Sequence, residues 1–436
     1  MRVKIEKMGI NGEGIGYDRK KPVFIPQTLI GEEVDIDITE NNRTFERGKV
    51  NRILSPSEFR SKPRCPLQAR CGSCPLMIAD YSQQLVYKKD LLRQSLIKYA
   101  QINPKYIEDI IANDEPYAYR NQCKLPLQME ERELVTGMYI PSSNYFISVN
   151  DCKVVGKGVE VLRRKILRIL NEYKMKAYDY HQKKGIRSLV IRGFDNKFSV
   201  VLVTGDHPLP KEMVSKLNEI EEVYSLWQSI NTIKKTPDLF GMKISLLSGE
   251  RYLPIPFDDL KLTISPRSYF RINTQQTKNI YTCISKMLGS DYDLIVDAYC
   301  GIGGIALSLK DKAKEIIGIE MVKDAVVNAN LNAKANHCEH VKFVCEDAAE
   351  KLTYISKKQK IDVLIVDPPR SGLEEEMIST ILKSKIKTMI YVSCNPATLG
   401  KDLAELSERY DVKKIQPFDV YSQTAYLETV VHLKRR

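Results

Sequence analysis

The sequence predicts an α/β chain in three parts. An OB-like β barrel is expected over residues 1–55, an α/β middle domain with a metal site over 56–261, and a Rossmann-like, doubly wound domain over 262–436. Short alternating runs broken by glycine turns fill the first part. A tight cysteine cluster opens the second, and strand-like and helical patterns alternate regularly through the third.

In the first part the runs are VKIEKMGINGEGIGYD, KPVFIPQTLIGEEVDIDI and FERGKVNRIL, with Gly12, Gly14, Gly16 and Gly31 at the corners. Lys, Arg, Tyr17 and Phe24 interleave in the way a nucleic-acid-binding face requires. The GxGxG stretch precedes no helix, which argues against a nucleotide-phosphate loop.

Cys65, Cys71 and Cys74 follow in PRCPLQARCGSCPL, a C-x5-C-x2-C pattern with Pro and Gly between the thiols. Such residues bend backbone around a metal, and helices and strands exclude them. A four-thiolate site needs one more ligand. Cys152 is the best placed candidate and Cys123 its rival, and the spacing leaves zinc and iron-sulfur both open. Cys283, Cys338 and Cys345 read as ordinary core or surface residues. Residues 81–100 have apolar positions at helical spacing with basic residues opposite, the pattern of an amphipathic surface helix. From about 115 to 260, strand-like SLVIRGF and FSVVLVTG alternate with helical VEVLRRKILRILNEYK.

Whole-chain properties bound the function. At roughly 100–200 residues per domain, 436 residues hold two to four domains. A 43% hydrophobic, 28% charged composition is that of an ordinary soluble protein. No apolar segment follows a basic start and no run of about 18 apolar residues occurs, so a cytoplasmic monomer with no membrane partner is expected. Ten cysteines without a secretion signal argue against a disulfide framework. The net charge of +12 points to a polyanionic partner.

The third part carries the chemistry. Its expected strands are 294–298, 315–320, 341–347, 363–369 and 389–394, followed by an antiparallel edge hairpin from KIQPFDV and YLETVVHLK. The first ends at Asp297, and Gly301, Gly303 and Gly304 then let backbone approach a ligand before a helix near Ile305. Glu320 ends the second strand, where a carboxylate can accept both ribose hydroxyls of an adenosyl group, and Asp347 ends the third, a position suited to the adenine amino group. A helix cap or a solvated strand end is the alternative for each acid.

Asp367 to Arg370 read DPPR, and the two prolines form a rigid lip. A related N/D-P-P-Y/F motif in amino methyltransferases holds a planar nitrogen with its aromatic ring. Arg370 in that place shifts the target toward ring carbon. C5 of uracil is too weak a nucleophile to take methyl from a sulfonium unaided, and a thiolate adding to C6 solves this. Cys394 in YVSCNPATL, at the end of the fifth strand, is the candidate thiol, and its activation needs a positive or dipolar neighbour that the sequence does not identify. Glu428, an acid inside an uncharged strand pattern, is the candidate base for the C5 proton, against the alternative of an outward-facing strand residue.

With these motifs the chain resembles the RNA (uracil-5-)-methyltransferase family, in particular iron-sulfur members that methylate 23S ribosomal RNA. GEGIGYD, KPVFIP and IGEEV resemble its N-terminal TRAM domain, an RNA binder. The resemblance implies that Cys65, Cys71, Cys74 and Cys152 hold a [4Fe-4S] cluster, structural or RNA-positioning in role. It also implies that Tyr299, Glu320 and Asp367 contact S-adenosylmethionine, with Gly304 and Asp347 at further cofactor positions, that Cys394 is the nucleophile, and that Glu428 is the proton acceptor. In that family the helix after the first three cysteines packs on the catalytic domain. Three residues depart from its pattern: Arg271 stands for glutamine in YFRIN, Ser422 for proline and Tyr426 for histidine in YSQTAYLE. The expected reaction is C5 methylation of a uridine in 23S ribosomal RNA. A transfer RNA T-loop uridine, or an RNA-binding assembly factor without activity, are the alternatives.

Overall fold

Alternating apolar residues build the N-terminal sheet. Val3, Ile5, Val23, Ile25, Val34 and Ile36 all point into one small core. The six strands run in the order Arg2–Lys4, Glu33–Asn41, Glu46–Ser55, Lys21–Ile25, Gly14–Asp18, Lys7–Met8. A Cβ on Gly16 would sit 2.6 Å from the Lys4 carbonyl oxygen, so glycine lets the first strand close onto the Gly14–Asp18 strand. The structure is a computed structural model and describes every residue except 142, 235 and 237. It divides into two units: Met1–Pro116 with Pro368–Lys383 and Thr388–Arg436, and Tyr117–Asp367 with Ser384–Lys387. Among the described residues no helix is long and apolar enough to cross a membrane.

In the second unit a seven-stranded sheet runs Lys243–Gly249, Val223–Ile230, Lys197–Thr204, Ile186–Phe194, Gln122–Glu130, Glu133–Tyr139, Phe146–Ser148. The SLVIRGF and FSVVLVTG runs pair as an antiparallel hairpin. Its turn, Asp195–Asn196, has both residues at positive φ (43° and 60°), the primed geometry that matches strand twist. The helices Lys157–Glu172 and Lys211–Asn218 cover one face through Leu162, Ile166, Leu170, Met213 and Leu217.

The same unit holds four parallel strands in the order Val341–Cys345, Ala313–Glu320, Tyr292–Ala298, Val363–Val366. The two inner strands are buried and, Asp297 apart, apolar along Leu294–Ala298 and Val363–Val366, as a sheet covered on both faces requires, and the two outer ones are only partly buried. The chain starts at Tyr292–Ala298, steps outward twice on one side, then returns to the other. That reversal opens a crevice beyond the carboxyl ends of Tyr292–Ala298 and Val363–Val366.

In the first unit the remaining strands run Thr388–Ser393, Glu428–Arg435, Tyr410–Phe418, all antiparallel. The expected hairpin forms, but its second strand lies inside and Tyr410–Phe418 takes the edge. The helix Pro396–Leu406 packs on the helix Tyr81–Ala100 at Gly400, where a Cβ would come within 3.0 Å of the Ser95 carbonyl oxygen.

Tyr81–Ala100 is more than the surface helix that its pattern predicts. Lys88 is fully buried and pairs with the equally buried Asp419, and its ammonium also donates to the Tyr421 carbonyl at 3.0 Å. The hydroxyls of Tyr81 and Ser422 each donate to Asp419 Oδ2 at 2.6 Å, and Asn113 donates to Ser422 Oγ at 3.0 Å. Burial pulls the Lys88 pKa down while Asp419 opposes it. Gln84 exchanges two hydrogen bonds with Gln423, whose φ of 72° is left-handed, and Leu76 N–H caps the Gln423 carbonyl. Asp419→Asn leaves the ammonium buried against a neutral amide, so urea unfolding is expected to show a loss of about 3–5 kcal/mol, with much of it recovered in Lys88→Met/Asp419→Asn. An unchanged midpoint for the single variant would contradict the pairing.

Candidate active site

The crevice in the second unit is lined from strand ends. After Ala298 the chain turns through Tyr299 at φ 65°, a conformation that costs a non-glycine residue about 1–3 kcal/mol, then Gly301 (56°) and Gly303 (80°). A Cβ on Gly303 would collide with the Phe343 ring at 2.4 Å, and one on Gly304 with the Tyr281 hydroxyl at 2.4 Å, so both glycines are packing requirements. Gly301 differs: a Cβ there meets nothing within 4 Å, which leaves a cradle that a ligand can fill.

Glu320 shapes this cradle. Its Oε2 accepts the Gly301 N–H at 3.1 Å and its Oε1 the Val322 N–H at 2.8 Å. A carboxylate has about four acceptor sites, so two remain for hydroxyls. Asp347 does what its alternative reading described: Oδ1 accepts from Ala349 (2.9 Å) and Glu350 (3.0 Å), capping the helix Ala348–Lys358. Asp367 Oδ2 is held at 2.6 Å by Arg271, whose side chain is only 6% exposed. Arg271 is thus an ion-pair partner at the strand end, and its own carbonyl is fixed by Asn121 at 3.0 Å.

Asp297 lies fully buried beneath these groups. Burial, then the charge of Asp367, pushes its pKa up to about 8 against the Ala306 N–H bond and Arg271, with Glu320 adding to the rise. Oδ2 takes the Ala306 N–H at 3.1 Å, while Oδ1 has no hydrogen-bond partner among the described residues, as befits a neutral carboxyl. The open cradle at Gly301 and the acceptor sites left on Glu320 fit an adenosyl group with its ribose hydroxyls.

The thiol lies in the first unit. Cys394 follows the strand Thr388–Ser393, and Asn395 caps the helix Pro396–Leu406 by accepting from Ala397 at 3.1 Å. Asn395 Nδ2 and Thr398 Oγ1 both donate to the Arg370 carbonyl, at 3.0 and 3.3 Å. Asp402 accepts from Leu373 N–H (2.9 Å) and from Tyr391 (2.6 Å). The NPATL segment therefore clamps the loop after DPP, which explains why the two motifs occur together.

The clamped residue is the missing cation. Burial works to lower the Arg370 pKa, but the hydrogen bond and charge of Tyr426, with the charges of Cys394 and Tyr421, hold it above its ordinary value. Its guanidinium stands 4.3 Å from the Tyr426 ring centroid. The Tyr421 hydroxyl donates to Glu428 Oε1 at 3.1 Å, and Glu428 is buried, not outward-facing. Cys394, Arg370 and Tyr426 line one cavity of about 280 Å3 with Ile10, Asn11 and Leu91. Sequence reasoning noted Arg370 only as a departure and passed over Tyr421. The signal for Arg370 was the need for a positive neighbour to Cys394.

The structure does not gather the expected metal set. Among the described residues no three His, Cys, Asp or Glu side chains form a group that could hold a metal. Cys65, Cys71 and Cys74 are half-buried, with a helical turn Gln68–Cys71 between the first two and Cys71 Sγ within 3.3 Å of Ser73 Oγ. Cys152 packs against the core of the second unit, and burial raises its pKa. The rival Cys123 is a core thiol, pushed up to about 12 by burial. The residues as arranged do not fit a cluster. Leu76 and Ile78, just after Cys74, share a core with Met8, Leu29, Tyr87, Leu91 and Ala425.

Comparison with known proteins agrees with this geometry. A family profile described as tRNA (Uracil-5-)-methyltransferase matches residues 80–436, and one described as TRAM domain matches residues 1–50. An uncharacterized RNA methyltransferase of Bacillus cereus is 33% identical over 443 aligned residues, covering 100% of this chain and 96% of that protein. One from Clostridium tetani is 34% identical, covering 98% and 94%. The fold is similar to that of a Pyrococcus abyssi tRNA (uracil-54, C5)-methyltransferase solved with S-adenosyl-L-homocysteine: TM-score 0.79, 23% identity, 99% of each chain covered.

Two measurements probe the electrostatics. Between the unfolded carboxyl pKa near 3.9 and the folded value of about 8, the folded chain keeps an Asp297 proton that the unfolded chain has lost, so this group's contribution to stability falls as pH rises through that window. Asp297→Asn removes it, and the urea-midpoint difference between variant and wild type is expected to grow in the variant's favour from pH 5 to pH 8. For the thiol, Arg370→Gln is expected to slow iodoacetamide alkylation of Cys394 at pH 7 by about ten-fold, because a nearby cation favours the reactive thiolate. An unchanged rate would contradict its role.

Proposed function

The chain belongs to the tRNA (uracil-5-)-methyltransferase family of RNA methyltransferases, and from that premise we propose that it transfers methyl from S-adenosylmethionine to C5 of a uridine in 23S ribosomal RNA. The observation that carries this reading is the neighbourhood of Cys394: a half-buried thiol in a cavity also lined by Arg370, whose backbone carbonyl is held by Asn395 and Thr398 just after the thiol. Tyr299, Gly301, Gly303, Gly304, Glu320, Asp347 and Asp367 are the residues proposed to hold the donor.

In the proposed reaction the target base leaves its stack and enters the cavity. The Cys394 thiolate bonds to C6, and the C5=C6 electron pair makes C5 nucleophilic. C5 takes the methyl group and the sulfonium departs as a neutral thioether. Glu428, oriented by Tyr421, accepts the C5 proton. The electrons of that C–H bond re-form C5=C6 and expel the thiolate. The cysteines at 65, 71, 74 and 152 enter no step.

The 23S assignment rests on the resemblance of the sequence motifs, TRAM region included, to family members that methylate that RNA. A transfer RNA uridine is the second reading, favoured by the family description and by the fold shared with the Pyrococcus enzyme. Incubation with labelled donor and separate ribosomal and transfer RNA fragments, followed by mass-spectrometric mapping, distinguishes them. 5-Methyluridine is expected in the ribosomal fragments. Cys394→Ala is expected to abolish it and Glu428→Gln to accumulate a covalent protein–RNA species. Label in neither RNA would overturn the catalytic reading in favour of an assembly factor.

A further inference from the structure

A turn in the second unit, far along the chain from the catalytic motifs, has its own nucleic-acid chemistry. Residues 174–187 carry Lys174, Lys176, Lys183, Lys184 and Arg187 against Asp179 alone, and the four lysines are exposed. The turn is rigid. Asp179 Oδ1 accepts from His181 (2.7 Å) and Gln182 (3.0 Å), Lys183 N–H returns to the Asp179 carbonyl at 2.8 Å, and Asp206 N–H bonds the Lys183 carbonyl at 3.1 Å. Arg187 donates to the Ile233 carbonyl at 2.8 Å, and its guanidinium lies 5.8 Å from the Tyr178 ring centroid and 5.7 Å from that of Tyr180. The two rings meet edge to face at 5.0 Å. Tyr178 is half-buried, while Tyr180 remains 49% exposed. An exposed aromatic ring braced by Arg187 and Tyr178, on a turn whose lysines are all exposed, is a poor solution for folding alone.

We propose that this turn is a second RNA contact, with Tyr180 stacking on an unpaired base and Lys183 and Lys184 taking the adjoining phosphates. It rests on the RNA-methyltransferase reading and adds to it a surface outside the reaction cavity. Stacking on an aromatic ring tolerates any base, and phosphate contacts carry no sequence information, so the turn contributes affinity and orientation while the cavity selects the uridine.

The test uses the full chain and a labelled 20-nucleotide oligouridine, with binding measured by filter retention at 50 and 200 mM salt. Tyr180→Ala is expected to weaken binding about ten-fold at both salts, the order of one lost stacking contact, and Tyr180→Phe to retain it. Lys183→Gln/Lys184→Gln is expected to flatten the salt dependence by about two phosphate contacts. Thermal midpoints matching wild type exclude a folding defect as the cause. Equal affinity of wild type and Tyr180→Ala, or no oligouridine binding by wild type at 50 mM salt, would overturn the proposal. Failure of the catalytic reading is separately visible, as wild-type protein that puts no methyl into any RNA.

Discussion

A buried ion pair between Lys88 and Asp419 sets the geometry on which the catalytic half depends. Two charges taken out of water cost several kcal/mol, and only good geometry with further hydrogen bonds offsets that. Here Tyr81, Ser422 and the Tyr421 carbonyl supply those bonds. The pair ties the helix Tyr81–Ala100 to the turn that leads into the strand of Glu428. The same helix packs at Gly400 on the helix that starts after Cys394. Thiol and carboxylate, 34 residues apart in sequence, thus take their positions from one helix far upstream of both. Apolar packing could have joined these elements, but only a directional network fixes the residues at 419–424 in one conformation, including the left-handed Gln423.

Within that frame the departures from the family pattern acquire physical roles. A proline at 422 could neither donate to Asp419 nor accept from Asn113, and the serine does both. Tyr426 lies against Arg370, so the ring fills the place beside the guanidinium that faces the cavity. Arg271 neutralises Asp367, in a crevice where Asp297 is itself held neutral by burial. The charge that Asp367 would otherwise bring to the crevice is thereby balanced from within the chain.

Much of this was legible in the sequence, and the gaps have a common cause. Parallel strands that are buried on both faces read as plain apolar runs, and the 81–100 and 159–174 helices read from their periodicity, because those signals are local. Whether Lys88 faces solvent, what lies beside Cys394, and which strand of the last hairpin takes the edge depend on partners outside the local window, from some tens of residues away for Cys394 and the hairpin to more than three hundred for Lys88. Asp347 shows the limit differently: a carboxylate at a strand end looks the same in sequence whether it caps the next helix or awaits a ligand. The cysteine spacing was the strongest local motif. Its thiols sit on a turn and a helical segment that serve packing, and they form no ligand set among the described residues.

The central claim is a transient bond from one sulfur to a pyrimidine ring carbon, and RNA carrying 5-fluorouridine tests it most directly. Fluorine at C5 cannot leave as a proton, so the methylated adduct has no route to elimination. Mass spectrometry of nuclease- and protease-digested complex should find one nucleotide, with its added methyl, on the peptide containing Cys394. An adduct on Cys283, Cys300 or any other thiol, or turnover of the fluorinated RNA with no adduct, would contradict the account.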